Sequence, residues 1–189
     1  MRSIMGLTVV LMLFIGMVGT GSWAYFTDPE ISADNPFQAG TLDLKTDDVD
    51  GVTQTIYATN MKRGDSVSGN ITLKNIGTSD GATLDISFSY VESDDSPNPV
   101  NMSPDASAAV LEVTTLNYDG SSLLASVSDN NTNGYKDVED LKNADLTGQN
   151  GLSTLASKNF EVALKLKETT DNNFQGDGIT LTITFLLNQ

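Results

Sequence analysis

The chain contains neither cysteine nor histidine among its 189 residues. Without cysteine it cannot form a disulfide framework, so its stability depends on packing, bound ions or neighbouring subunits. Without histidine it lacks the parts of Ser-His-Asp and Cys-His nucleophilic sites and the usual ligands of a protease zinc ion. No glycine-rich phosphate-binding motif opens a helix after a strand. We therefore predict a protein with no catalytic residues, no enzymatic activity and no organic cofactor.

Positive charge is also scarce. The 10 Lys and Arg residues face 25 Asp and Glu residues, which gives a formal net charge of −15 at pH 7. A surface of this charge repels phosphate backbones and anionic lipid headgroups. We therefore predict no nucleic-acid partner. Pairs of carboxylates occur by chance in so acidic a chain, so they indicate no catalytic site by themselves.

The longest apolar run covers residues 4–18, about 15 residues, whereas a transmembrane helix needs roughly 20. Arg2 precedes the run, and small residues follow it up to Ala24. This order of charged, apolar and small residues is typical of a secretory signal peptide. We predict that residues 1–24 are removed by a signal peptidase that cuts between Ala24 and Tyr25. The mature protein is then secreted, free of the membrane, and located at the cell surface or in the extracellular matrix. The alternative, an uncleaved membrane anchor, is disfavoured by glycines in the run.

Three segments alternate strictly between apolar and polar residues, as half-buried strands do. Their apolar positions are Leu84, Ile86, Phe88 and Tyr90; Phe160, Val162, Leu164 and Leu166; and Ile179, Leu181, Ile183, Phe185 and Leu187. In the second segment Glu161, Lys165 and Lys167 are predicted to face solvent.

Weaker patterns predict further strands at 41–44, 52–58, 66–74, 110–116 and 122–127. We expect at most one short helix, at 138–146, and an irregular loop at 93–105. Short strands at this spacing predict an all-β fold, a jelly-roll-like antiparallel β-sandwich of about eight strands. One such domain accounts for residues 37–189.

One loop has the spacing of a calcium-binding site. Residues 129–140 follow the pattern D-x-[DN]-x-[DN]-G-x5-E, in which oxygen ligands surround a hard cation and a glycine makes the sharp turn. The predicted ligands are Asp129, Asn131, Asn133, Tyr135 through its carbonyl, Asp137 and Asp140. The last position is Asp where the pattern has Glu. The alternative is an ordinary turn rich in Asn and Asp.

Three N-x-[ST] sequons, at Asn70, Asn101 and Asn130, are chemically available for glycosylation in an exported chain. Asn130 lies inside the predicted calcium loop. A glycan and an ordered ion would therefore compete for the same turn.

Four blocks of the sequence together resemble the TasA/camelysin family of exported biofilm-fibre proteins, which includes archaeal bundling-pilin relatives. The blocks are GSWAYFTD at 21–28, FQAGTLDL at 37–44, NMKRGD at 60–65 with NIG at 75–77, and FQGD at 174–177. They span nearly the whole chain. The resemblance implies a jelly-roll subunit that polymerises by donor-strand complementation, in which the mature N-terminus of one subunit completes a sheet of the next.

The donor segment implied by this resemblance is 25–36, with Tyr25, Phe26, Thr27 and Ile31 as its principal residues. Its partners are other copies of the chain in a head-to-tail filament, and other matrix components. The casein-cleaving activity described for some family members is not carried over, because histidine is absent. The main alternative is a monomeric secreted jelly-roll module for carbohydrate binding or surface adhesion; a secreted protease of the camelysin type is a third.

Overall fold

The computed structural model describes residues 41–47, 49–50, 53–58, 61–94 and 100–189, with the backbone alone at 49–50 and 53–58. The predicted signal peptide 1–24, its cleavage site between Ala24 and Tyr25, and the predicted donor segment 25–36 lie outside the described residues.

The described chain forms ten strands, of which eight have three or more residues. In chain order they are β1 Leu44–Thr46, β2 Val49–Asp50, β3 Thr53–Ala58, β4 Ser66–Asn75, β5 Thr83–Asp94, β6 Leu111–Tyr118, β7 Ser121–Ser122, β8 Leu146–Asn150, β9 Ser157–Leu166 and β10 Asp177–Asn188.

The strands form two antiparallel sheets. One has the order β2-β1-β4-β9-β6-β7 and the other the order β3-β10-β5-β8. Consecutive strands such as β9 and β10 lie in different sheets. The prediction of an all-β antiparallel sandwich of about eight strands is confirmed.

The core lies between the two sheets and follows the predicted alternation. The apolar positions of β10, Ile179 through Leu187, are all buried, while the intervening threonines are half-buried on the outer face. In β9 the side chain of Phe160 is fully buried and meets the ring of Phe185 from the opposite sheet, with centroids 5.2 Å apart in an edge-on arrangement. Alternation with period 2 places each strand's apolar side chains on one face, and the two sheets bury those faces against each other.

Two of the weaker strand predictions gave the wrong positions along the chain. Residues 122–127 do not form a strand: β7 ends at Ser122, and Leu124–Ser126 form a 3₁₀ turn. Leu123 turns back there and donates its N–H to the Leu116 carbonyl, 2.7 Å away. The strand predicted at 41–44 is shifted, since β1 begins only at Leu44.

The helices also differ from expectation. The described residues form two short α-helices: α1, Pro104–Ala109, and α2, Val138–Leu141. Helix α1 begins inside the predicted irregular loop, because Ser103 caps it and proline suits the first turn of a helix. Helix α2 stops well before residue 146, since Leu146 is already buried in β8.

The block Asn75-Ile76-Gly77 has a structural role. The Asn75 side chain is fully buried; its amide donates to the carbonyls of Ser79 and Leu152, 2.9 and 3.0 Å away, and its oxygen accepts the Gly77 N–H at 3.0 Å. A Cβ at Gly77 would lie 2.0 Å from the Thr41 carbonyl oxygen. The block therefore joins three segments of chain at one end of the sandwich.

Candidate functional site

The predicted calcium loop is held in shape by its own polar side chains. Asp129 accepts the backbone N–H groups of Asn133 and Gly134, at 3.1 and 2.9 Å. Asn133 in turn accepts the N–H of Tyr135 at 3.0 Å. Gly134 has φ +86°, which an L side chain rarely adopts. Residues 129–135 therefore form a tight turn that returns the chain to helix α2.

Two of the predicted ligands, Asp137 and Asp140, are fully buried at the start of α2. They form a reciprocal capping box: Asp137 accepts the N–H of Asp140 at 3.4 Å, and Asp140 accepts the N–H of Asp137 at 3.1 Å. The other oxygen of Asp140 accepts the N–H of Asn130 at 2.7 Å. Both oxygens of Asp140 therefore bind backbone donors and close the loop onto the helix.

The positive charge at this site comes from Lys167, which lies just beyond β9. Its Nζ is 3.1 Å from Asp137 Oδ2 and 2.6 Å from the carbonyl oxygen of Ala109, and it lies 4.3 Å from the ring centroid of Tyr135. The Lys167 side chain is only 9% exposed. The prediction that Lys167 faces solvent was therefore wrong: the alternation ends with β9 at Leu166, and the next residue turns inward to pair with Asp137.

The amide groups of the loop complete the partners of Asp137. Asn133 Nδ2 lies 2.7 Å from Asp137 Oδ2, and Asn131 Nδ2 lies 3.4 Å from it. Asn131 also donates to Glu139 at 3.0 Å. Three side chains and the N–H of Asp140 thus donate to one buried carboxylate, and the ammonium of Lys167 balances its charge.

All six predicted calcium ligands, Asp129, Asn131, Asn133, Tyr135, Asp137 and Asp140, do lie in one compact loop. The sequence pattern did not identify Glu139, whose carboxylate clusters with those of Asp137 and Asp140. It also did not identify Lys167, because no pattern relates residues that far apart. Calcium binding at this loop stays a prediction, and Lys167 is the internal cation with which Ca²⁺ would compete.

This competition can be tested with Lys167→Met. We expect millimolar Ca²⁺ to raise the melting temperature of the variant more than that of the wild-type chain, because removing the ammonium frees Asp137 Oδ2 for a hard cation. Differential scanning fluorimetry with and without Ca²⁺ measures this, and Mg²⁺ serves as the ion control. Equal shifts for the two proteins, or none for either, would contradict the prediction.

A second concave surface lies at the end of the sandwich where β4 begins. This pocket, of about 190 Å³, is formed by the segment before β4 and the connection from β9 to β10. It is lined by Met61, Lys62, Arg63, Leu166, Thr170, Asp171, Asn172, Phe174 and Gln175. Two of the sequence blocks, at 60–65 and 174–177, supply much of this lining, and we refer to it as the end pocket.

The end pocket combines an apolar floor with a positive rim. Met61, Leu166 and Phe174 are half-buried, whereas Lys62 and Arg63 are exposed. Arg63 Nη2 donates to the side-chain oxygen of Asn172, 2.7 Å away. The rim therefore carries two adjacent cations on a chain of strongly negative net charge.

An acidic cluster lies on the other side of the floor. The carboxylates of Glu92, Asp94 and Asp177 approach one another within 4.8 Å, and the Ser107 hydroxyl donates to Glu92 at 2.7 Å. Burial raises the pKa of Glu92, and the neighbouring charges of Asp177 and Asp94 raise it further, against the opposing effect of the Ser107 hydrogen bond. The cluster therefore consists of three neighbouring carboxylates, which offer only oxygen atoms as possible ligands.

The fold and the two sites define an acidic, all-β sandwich protein without the side chains of a histidine-dependent enzyme. The chain belongs to the camelysin metallo-endopeptidase family, whose model matches residues 2–189. The resemblance drawn from the four sequence blocks is thereby confirmed. No match was found among curated proteins. Among the residues that the structure describes, no helix is long and apolar enough to cross a membrane.

The description of the family as a metallo-endopeptidase implies a bound metal ion. A catalytic zinc ion takes histidine, often with a carboxylate, and keeps one position open. This chain offers carboxylates alone, since it contains no histidine or cysteine. At the α2 cluster, Asp137 and Asp140 are fully buried and already bind Lys167 and backbone N–H groups. These residues do not fit a catalytic zinc site, and we derive no proteolytic step.

Proposed function

We propose that this protein is a secreted structural subunit of an extracellular fibre or bundling pilus in a biofilm matrix. In this proposal the signal peptide 1–24 is removed by a signal peptidase, and the new N-terminus drives head-to-tail polymerisation by donor-strand complementation. Family membership supports the exported, structural assignment, and the missing histidines argue against proteolysis. The observation that carries the proposal is an open sheet edge.

That edge is the first half of β4. Strand β9 pairs with β4 from Ser66 to Lys74, but on the other side β1 pairs only with residues 73–75. Asp47 adds backbone and side-chain bonds to Thr72. Along 66–71, the outer edge of β4 has no strand partner in the part of the chain that the structure describes. We call this stretch the open edge.

An open edge presents backbone N–H and C=O groups to any extended chain that can pair with them. The inward-facing Val67 is only half-buried there, so an added strand would also cover apolar surface. We propose that the segment 25–36 of a second copy supplies this strand, with Tyr25, Phe26, Thr27 and Ile31 as its contacts. Pro29 is compatible with such a strand, because proline is tolerated where one ladder hydrogen bond is missing.

Head-to-tail addition of this kind does not close on itself and therefore gives filaments. Other matrix components are proposed as further partners. Calcium at the 129–140 loop is proposed as a stabilising ion within each subunit, without a part in strand exchange.

The test compares the chain that starts at Tyr25 with a chain that starts at Ala33. We expect the first to form filaments by negative-stain electron microscopy and the second to stay monomeric, because only the first retains the donor residues. Size-exclusion chromatography of both gives the monomer fraction, and circular dichroism shows whether both are folded.

A longer chain that stays monomeric, or a shorter chain that still polymerises, would overturn strand donation. The first of these results would favour a monomeric binding module. Adding Ca²⁺ to both chains tests whether the ion acts inside the domain: it should then change their melting temperatures alike and leave their assembly unchanged.

A further inference from the structure

We propose that Lys167 and Asp137 react with each other in the folded subunit to form an isopeptide bond, which cross-links the end of β9 to the start of α2. In this step Lys167 Nζ attacks Asp137 Cγ, a C–N bond forms, and the bond from Cγ to one carboxylate oxygen breaks. Two protons of the ammonium leave with that oxygen as one water molecule. The ion pair thus gives a neutral amide and water, with no net change in charge or oxidation state.

The two side chains are already in contact and shielded from water. Lys167 Nζ lies 3.1 Å from Asp137 Oδ2, which is bonded to the carbon that the amine attacks, and the side chains are 9% and 0% exposed. Groups held together by a fold react as if at very high local concentration. A buried ion pair also carries a large desolvation penalty. Conversion to a neutral amide removes that penalty, which is a gain that the same reaction in water does not have.

The amine is positioned by two further contacts. Lys167 Nζ lies 2.6 Å from the carbonyl oxygen of Ala109 and 4.3 Å from the ring centroid of Tyr135. Together with the ion pair, these contacts hold a long, flexible side chain in one arrangement, so little rotamer entropy remains to be lost when it reacts. Lysine, unlike arginine, can give up a proton and act as a nucleophile.

The carboxylate is surrounded by hydrogen-bond donors. Asn133 Nδ2 lies 2.7 Å from Asp137 Oδ2, and the backbone N–H of Asp140 donates to Asp137 Oδ1 at 3.4 Å. When an amine adds to a carboxyl carbon, negative charge develops on the oxygens. Donors that are already in place stabilise that charge without reorganising. The capping box and the loop amide therefore favour attack on Asp137.

Glu139 is placed to carry a proton between the reacting groups. One proton must leave Nζ before the attack, and the departing oxygen must gain one. The carboxylates of Asp137, Glu139 and Asp140 approach one another within 4.8 Å, and Asn131 donates to both Glu139 and Asp137, at 3.0 and 3.4 Å. Both oxygens of Asp140 already accept backbone N–H groups. The proton transfer therefore falls to Glu139.

The bond would give the domain a covalent closure. The chain has no cysteine and hence no disulfide. A link from 137 to 167 encloses β8 and β9, and closing a loop covalently restricts the unfolded chain. Freshly folded chains hold the ion pair, and the cross-linked form accumulates from it. The bond forms within one subunit, so it does not depend on filament assembly.

The test is the intact mass of the chain that starts at Tyr25, kept in EDTA so that no divalent ion occupies Asp137 and unfolded before measurement. We expect this chain to be lighter than its sequence by one water molecule. Trypsin cuts after lysine and arginine, but not after a lysine whose amine is blocked. It should therefore release residues 137–142 joined to residues 166–189, a branched peptide that tandem mass spectrometry identifies.

Lys167→Arg is the matched control, because the guanidinium keeps the positive charge and does not form this amide. The variant should keep its full mass and give no branched peptide. A wild-type chain of full mass, or one that loses water without giving the branched peptide, would overturn the proposal. The second result would indicate dehydration at an Asp-Gly step such as Asp119-Gly120, which does not join the two peptides.

Samples taken over time from a cell-free synthesis reaction show how fast the bond forms. Glu139→Gln should slow the reaction about a hundredfold, the lower end of what general acid–base catalysis contributes. Glu161→Gln makes the same change on the half-buried outer side of β9 and should react at the wild-type rate. Circular dichroism shows whether both variants are folded. Equal rates in the two variants would overturn the role of Glu139 as proton carrier.

Discussion

Replacing Lys167 with methionine is expected to lower the free energy of unfolding by about 3 kcal/mol, at the lower end of the range for breaking a buried ion pair. The variant keeps most of the aliphatic volume but leaves the fully buried Asp137 without its ammonium, which lies 3.1 Å away. The Ala109 carbonyl also loses its Nζ donor. Asn131 and Asn133 still donate to Asp137, which keeps the loss from being larger.

Urea unfolding followed by tyrosine fluorescence, at a dilution where light scattering shows no filaments, measures this loss. Lys165→Met is the matched control. Lys165 pairs with Glu168 on the surface, where the side chains are 34% and 75% exposed, so we expect a change within about 1 kcal/mol. The double variant Lys167→Met with Asp137→Asn should recover part of the loss because it removes the buried charge. If the two single variants are equally stable, the buried pair does not hold α2 to the sandwich.

The sequence predicted the parts of the fold that obey a local rule. The three alternating segments became β5, β9 and β10, since period 2 on a half-buried strand reports directly which face is covered. Strand β8, Leu146–Asn150, was missed because only its first residue is buried and its sequence LTGQN does not alternate. Its place is set by pairing with β5, which no local pattern encodes.

In the candidate sites, too, the sequence predicted only what a local pattern encodes. The turn at Asp129–Gly134 was identifiable because side chains and a glycine at fixed offsets shape it. Lys167 was not, because its partner Asp137 lies 30 positions earlier and the two meet only through packing. The end pocket likewise joins residues from two distant connections. No sequence pattern predicted it: the blocks at 60–65 and 174–177, which supply much of its lining, were recognised only as parts of the family resemblance.

Replacing Phe160 with alanine is expected to cost about 3–5 kcal/mol of stability, as for other large-to-small changes in cores. Phe160 is fully buried in β9, which pairs with both β4 and β6 at the middle of the larger sheet. Its ring contacts Phe185 and Phe88 of the opposite sheet, with centroids 5.2 and 6.4 Å apart. The truncation would leave a cavity between the sheets and remove both aromatic contacts.

The same urea titration measures the loss, and Phe160→Leu should retain part of the stability because it fills most of the volume. Val91→Ala is the exposed control: Val91 lies on β5 with 63% of its surface accessible, so we expect a change within about 0.5 kcal/mol. A loss below about 1 kcal/mol for Phe160→Ala would mean that the two sheets repack around the missing ring. The chain has no disulfide to hold the sheets together, so their stability depends on contacts of this kind.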